Sequence, residues 1–210
     1  MYRNLIVGLI LAVGAAQSQT REIGVIGGGA FLRGLPIQGA PANTSAGFQP
    51  GAVGGVLFGQ DLYSHWSGEI RYLFEQRNLR VVSGGKSASF AGQAHVLSYD
   101  LIYHTRSREE RVRPYLAVGG GMKLFRGTGE EEAYRPLMEY AYLTRTQQLK
   151  PMLSVGGGVK WAVGKRMALH IDFRDQITPF PRKLIAPAPG MTLQGWLHDF
   201  VPTVGLSWRL

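Results

Sequence analysis

The chain contains no cysteine. That absence excludes disulfide staples, thiolate zinc sites and cysteine nucleophiles together, so hydrogen-bond ladders and burial must hold the fold. Long apolar runs are also missing beyond the first residues, so residence in a membrane requires strands rather than helices. Acidic residues are scarce. Fourteen Asp and Glu stand against 23 Lys and Arg, a net charge of +9 that favours anionic partners.

The first sixteen residues carry Arg3 and then an apolar run, Leu5 to Ala16, that ends in Gly14, Ala15 and Ala16. The run is too short to span a bilayer, and small residues close it, as in a secretory signal peptide cleaved between Ala15 and Gln19. The expected division is residues 1–19 as signal and 20–210 as one domain. Without Arg3 the net charge becomes +8. Export makes nucleic acid a poor partner and points to anionic lipid headgroups.

What the chain has in quantity is glycine, 29 residues, and alternation. From His198 to Leu210 the chain alternates: His198 and the apolar Phe200, Pro202, Val204, Leu206, Trp208 and Leu210 face one way, with Asp199, Val201, Thr203, Gly205, Ser207 and Arg209 opposite. Eight such segments occur, near Arg21–Phe31, Gly51–Gln60, His65–Leu79, Phe90–His104, Pro114–Phe125, Pro151–Val163, Met167–Ile177 and Trp196–Leu210. Their connections alternate long and short, beginning and ending with a long one. An up-and-down barrel with both chain ends on the periplasmic side produces that order.

One face repeatedly gathers charges with Gly, Ala and Ser. Glu69, Arg71, Asp100, Lys123, Lys160, Asp172, Arg174 and Asp199 lie on it, and eight strands leave an interior that side chains just fill, so these residues are expected to form a lumen charge network. A soluble barrel with its apolar face inward has the same period. Aromatics near segment ends (Tyr63, Trp66, Tyr103, Trp161, Trp196, Trp208) and the glycine-rich charged face favour the membrane arrangement.

Other patterns are weaker. Ile23 to Phe31 mimics a dinucleotide-binding turn, but Leu32 replaces the third glycine, Pro36 and Pro41 interrupt the required helix, and no acid occurs between Glu22 and Asp61. The matching stretches Pro114 to Lys123 and Pro151 to Lys160 each hold a Gly triplet and read as repeated strand solutions. His65 and Ser67 share a strand face, a spacing that suits serine hydrolysis, and in that pair alone the chain resembles outer-membrane lipid A deacylases. Arg106 to Arg113 reads as a solvated turn, and Glu130 to Glu132 lacks the spacing of a calcium loop. Leu137 to Gln148 has few helix breakers and is expected to form a short helix over the mouth.

Three stretches resemble the outer-membrane-protein β-barrel domain family, the small OmpA- and OmpX-like barrels. They are Tyr99 to His104, Arg113-Pro114-Tyr115 followed by Gly119 and Gly121, and the closing Leu206 to Leu210. Where Leu210 stands, the family commonly has Phe, which the assembly machinery reads. The expectation is therefore an all-β fold, an eight-stranded antiparallel up-and-down transmembrane β-barrel in a bacterial outer membrane. No cofactor, metal or catalysis is expected. Expected partners are outer-membrane lipids and lipopolysaccharide, the barrel-assembly machinery, and a protein or ligand at the long extracellular loops. The alternatives are a narrow pore or small-ligand carrier, and a lipid A-modifying enzyme.

Overall fold

The computed structural model describes residues 20–210, and the expected signal segment, 1–19, lies outside the described residues. Eight long strands form one closed antiparallel barrel: β1 (Arg21–Leu32), β2 (Gly51–Asp61), β3 (Trp66–Gln76), β4 (Gly92–His104), β5 (Val112–Gly127), β6 (Gln147–Ala162), β7 (Met167–Pro179) and β8 (Trp196–Arg209). Each strand pairs with its sequence neighbours, and β1 closes on β8 with Ile23 opposite Trp208 and Gly27 opposite Val204. Closure leaves no sheet edge, so the ladder satisfies the strands' backbone groups without water. Among the described residues no helix is long and apolar enough to cross a membrane.

Alternation decides what faces where. On β3, Trp66, Ile70, Tyr72 and Phe74 are exposed while Ser67, Glu69, Arg71, Leu73 and Glu75 are buried; on β7, Ile171 and Phe173 are exposed against buried Asp172 and Arg174. The barrel is thus apolar outside and largely polar inside, the inverse of a soluble domain. Trp196 and Trp208 lie at opposite ends of β8. Twelve strand steps of about 3.3 Å at a tilt of about 40° separate them by about 30 Å, the thickness of a bilayer's hydrocarbon core. Two outward-facing histidines on the strands have polar partners: His198 pairs with Asp175 at 2.7 Å and His95 with the Tyr72 hydroxyl at 2.9 Å.

Three short connections, 62–65, 105–111 and 163–166, lie at one end, and the four long ones, 33–50, 77–91, 128–146 and 180–195, meet at the other. The long connections fold. Leu35–Pro36, Ser45–Phe48, Leu79–Ser83 and Lys86–Phe90 form a four-stranded sheet, Ala141–Leu143 pairs with Ile185–Pro187, and a bridge from Gln38 to Thr192 ties the first loop to the last. Together they enclose an apolar core that includes Ile37, Phe48, Leu79, Phe90, Phe125, Leu137, Phe180, Leu184, Ile185 and Leu197.

Two expectations need correction here. Barrel strands were expected to reach Leu79 and to start at Phe90, but β3 stops at Gln76 and β4 starts at Gly92. Leu79 and Phe90 instead face each other across a hairpin whose tip, Gly84-Gly85, has φ of 55° and 79°, the left-handed geometry that a two-residue turn needs and glycine supplies. Nor do residues 137–148 form a helix. Ala141–Leu143 is extended, and β6 begins at Gln147, because burial of Leu137 and Ala141 in the cap and pairing with Ile185–Pro187 outweigh local helix propensity.

Candidate functional site: the ion-paired lumen

All eight residues expected to line the lumen are buried inside the barrel, and the structure sorts them into tiers. In the middle tier, Arg71 donates from Nε and Nη2 to Glu69 Oε1 at 3.0 and 2.6 Å and from Nη1 to Asp172 Oδ1 at 2.9 Å. Arg174 donates from Nε to Asp172 at 2.9 Å and lies 3.2 Å from Asp100. The Tyr115 hydroxyl donates to the second Asp172 oxygen. Two guanidiniums therefore serve three carboxylates, which is how charges persist away from water.

Lys123 anchors the tier next to the cap. Its ammonium donates to Glu75, Gln176 and Asp199 at 3.0, 2.8 and 2.7 Å, and Arg77 donates to the other Asp199 oxygen at 2.7 Å. Arg77 and Lys123 also lie over the rings of Phe48 and Phe125, at 5.9 and 5.6 Å, and those two rings stack at 5.2 Å. Polar lumen and apolar cap therefore share one continuous packing. A cluster of inward apolar residues, Ile26, Val53, Leu57, Leu73, Val96, Met152 and Val201, fills the remaining wall space.

The tier at the short-turn end holds Lys160, whose ammonium donates to Glu22 at 2.6 Å. It also contains two similar triplets. Ser67 donates to Asp61 at 2.7 Å with His104 Nε2 at 3.0 Å, and Ser207 donates to Glu22 at 3.0 Å with His170 Nε2 at 2.8 Å. A hydroxyl has one proton. With that proton directed at the carboxylate oxygen, each histidine Nε2 must carry a proton of its own and donate it to the serine oxygen. Neither imidazole is then a base toward its serine, and neither acid touches histidine Nδ1, where a hydrolytic triad would place it.

His65, weighed against Ser67 in the sequence only as a weak spacing, is not part of this arrangement. It sits in the turn, bonds Ser64 at 3.0 Å and stacks on Tyr103, while Ser67 turns inward to His104. Arg113 corrects the reading of 106–113 as a wholly solvated turn: it is buried, 3.7 Å from Asp61, and donates to the Ser64 carbonyl at 3.2 Å. Glu131 and Glu132 engage the Arg145 amide and the Arg135 side chain, at 2.7 and 3.6 Å. Among the described residues no group of His, Asp and Glu has the arrangement of a metal site.

Beside the eight expected residues the lumen holds Glu75 and His170, which share their charged strand faces in the sequence, and Glu22, Arg77, Tyr115, His104 and Gln176, which were not expected there. Period two carried the signal for most of them. Glu75 and Arg77 share parity with Glu69 and Arg71, His170 and Gln176 with Asp172 and Arg174, and His104 with Asp100.

Glycine makes room for the long side chains. Gly158 faces inward beside Tyr115, and a Cβ there would stand 2.7 Å from the phenol oxygen and closer still to the Ile171 carbonyl. In the matching triplet a Cβ on Gly119 would meet Asp100 Oδ1 at 2.5 Å. The repeated triplets are therefore packing devices in the wall, facing the middle tier.

No protein-family model matches the chain, and no curated protein does. Solved structures do. Neisserial surface protein A (NspA) superposes with a TM-score of 0.60 at 12% identity, over 92% of this chain and 100% of that one. The fold is that of a small outer-membrane β-barrel. The outer membrane protein OprG from Pseudomonas aeruginosa has the same architecture, with a TM-score of 0.55 at 14% identity over 91% of this chain and 97% of its own.

Proposed function

We propose that this chain is a non-conducting, non-catalytic barrel of a bacterial outer membrane that works as a surface-interaction protein through its folded cap. One observation carries the reading: the lumen is closed twice, by the ion-paired tiers and by the apolar core above them. Largest among the fully buried side chains are Arg77, Arg113, Arg174 and Lys123, the residues that would have to move aside for a water column. Between the lower tiers a void of about 10 Å³ remains beside Glu22, Ser67, His104, Lys160 and His170, room for about one water. The apolar belt supports insertion. The short connections then face the periplasm and the cap faces outward, with export through residues 1–19, lipids and lipopolysaccharide around the belt, and the assembly machinery acting during insertion.

The cap offers a contact surface. A groove of about 170 Å³ is lined by Glu131, Glu132, Arg135, Met138 and Tyr142, and Tyr134 is 81% exposed. Exposed aromatics beside charges of both signs suit a protein or glycan epitope better than a buried small ligand. Against catalysis stand the protonation pattern of the two serine triplets and their burial in the lumen, away from lipid.

Refolded protein in planar bilayers tests the closed lumen. Rare, small events are expected, whereas steady current that changes on substituting Lys123 or Lys160 would establish the pore instead. A binding screen against lipopolysaccharide and envelope or host proteins tests the cap. Binding should be lost in a Tyr134→Ala, Tyr142→Ala variant that keeps the heat-dependent gel mobility of a folded barrel; retained binding would remove the cap from the interaction.

A further inference from the structure

The rim formed by the short connections is strongly basic. Arg21, Arg106, Arg108, Arg111, Lys165, Arg166 and Arg209 lie there, against Glu109 and Glu110. The rim thus carries most of the net charge of the described chain. Arg113 is buried with Asp61 and adds nothing to the surface. Backbone bonds stitch much of the rim into one arc: Ala162 donates to the Arg111 carbonyl at 2.7 Å, Arg209 to Arg166 at 2.8 Å, and Leu210 to Arg21 at 2.9 Å. Arg111, Lys165 and Arg166 are exposed and form no ion pair among the described residues.

Within this arc a groove of about 390 Å³ is lined by Arg111, Ala162, Val163, Gly164 and Lys165. Its position is informative. Trp161, 49% exposed, and Val163, 50% exposed, belong to the apolar belt, so the groove lies where the belt ends and the cations begin. A ligand that fits has an anionic oxygen head for Arg111 and Lys165 and an apolar body that continues along Val163 and Trp161. A guanidinium offers two parallel donors to a phosphate, and an ammonium adds a point charge.

We infer that this groove is a headgroup site for an anionic phospholipid of the periplasmic leaflet. The inference rests on the membrane reading given above. A soluble phosphate would satisfy the two cations but leave the apolar half of the groove wet, which favours the lipid. The basic arc raises the local concentration of anionic lipid around the groove, and the two groove cations select the headgroup. Each cation near an anionic surface favours it by about fivefold.

The test uses a protein whose only tryptophan is Trp161 (Trp66→Phe, Trp196→Phe, Trp208→Phe), reconstituted in vesicles with brominated phosphatidylglycerol or brominated phosphatidylcholine as quencher. Phosphatidylglycerol should be favoured at Trp161 by at least about fivefold, and Arg111→Gln with Lys165→Gln should bring the ratio to about one. Equal quenching by the two lipids overturns the headgroup site while leaving membrane insertion intact; no quenching by either overturns insertion itself. Loss of the preference on adding inorganic phosphate would assign the groove to a free anion and overturn the lipid assignment. If the single-tryptophan protein does not fold, the unsubstituted chain gives the same comparison in diluted form, and an R111Q, K165Q variant that leaves its quenching ratio unchanged refutes the site.

Discussion

Arg71→Met removes the guanidinium that joins two strands across the lumen. Arg71 is 3% exposed and makes three charge-assisted bonds, two to Glu69 and one to Asp172. After its loss Asp172 keeps Arg174 at 2.9 Å and the Tyr115 hydroxyl. Glu69 keeps only the Arg174 Nη2 contact at 3.7 Å, beyond hydrogen-bond reach. One buried carboxylate is left nearly unpaired, and breaking such a pair costs about 3 to 5 kcal/mol. Methionine fills much of the aliphatic volume, so a cavity contributes little. With a urea slope of about 2 kcal/mol per molar, the unfolding midpoint in lipid vesicles, followed by tryptophan fluorescence, should fall by about 1.5 to 2.5 M. Adding Glu69→Gln removes the stranded charge and should restore at least half of that loss, since the two sites couple directly. A single-variant midpoint within about 0.3 M of the parent would refute the reasoning, because it would mean that water reaches Glu69.

Gly158→Ala pushes a methyl group against the Tyr115 oxygen and the Ile171 carbonyl, and the overpacking should cost about 1 to 3 kcal/mol, read as a lower midpoint; an unchanged midpoint would show that the wall expands freely there. Phe48→Ala removes a ring stacked on Phe125 in the cap core and should destabilise the cap by about 3 to 5 kcal/mol, seen as faster proteolysis of the long connections with the barrel's gel mobility retained. It should not open a steady current, because the ion-paired tiers remain below; a stable conductance in this variant would make the cap the principal seal. Ser67→Ala should leave purified lipid A and phospholipids as untouched as the parent does, and a hydrolytic activity lost in this variant would establish the enzyme reading.

Much of the barrel was legible in the sequence because its two solvents differ so sharply. Each outward position along Ile70, Tyr72 and Phe74 is apolar and each inward position along Glu69, Arg71 and Glu75 is charged, and a strand's period of two transmits that contrast directly to the amino-acid order. Strand number, the connection pattern and the inward set followed from it. Tertiary structure alone decided which charges meet. Arg71 and Asp172 are 101 residues apart, and Lys160 and Glu22 are 138 apart, and pairing across a lumen depends on barrel closure and stagger, which no local pattern encodes. The same holds for Ser67, whose histidine is His104 on the neighbouring strand rather than the nearby His65, because pairing of β3 with β4 sets the inward neighbours. The cap was illegible for a further reason. Leu79, Phe90, Leu137 and Leu184 come from three long connections with no shared period, and they become a core only when barrel closure brings those connections together at one end.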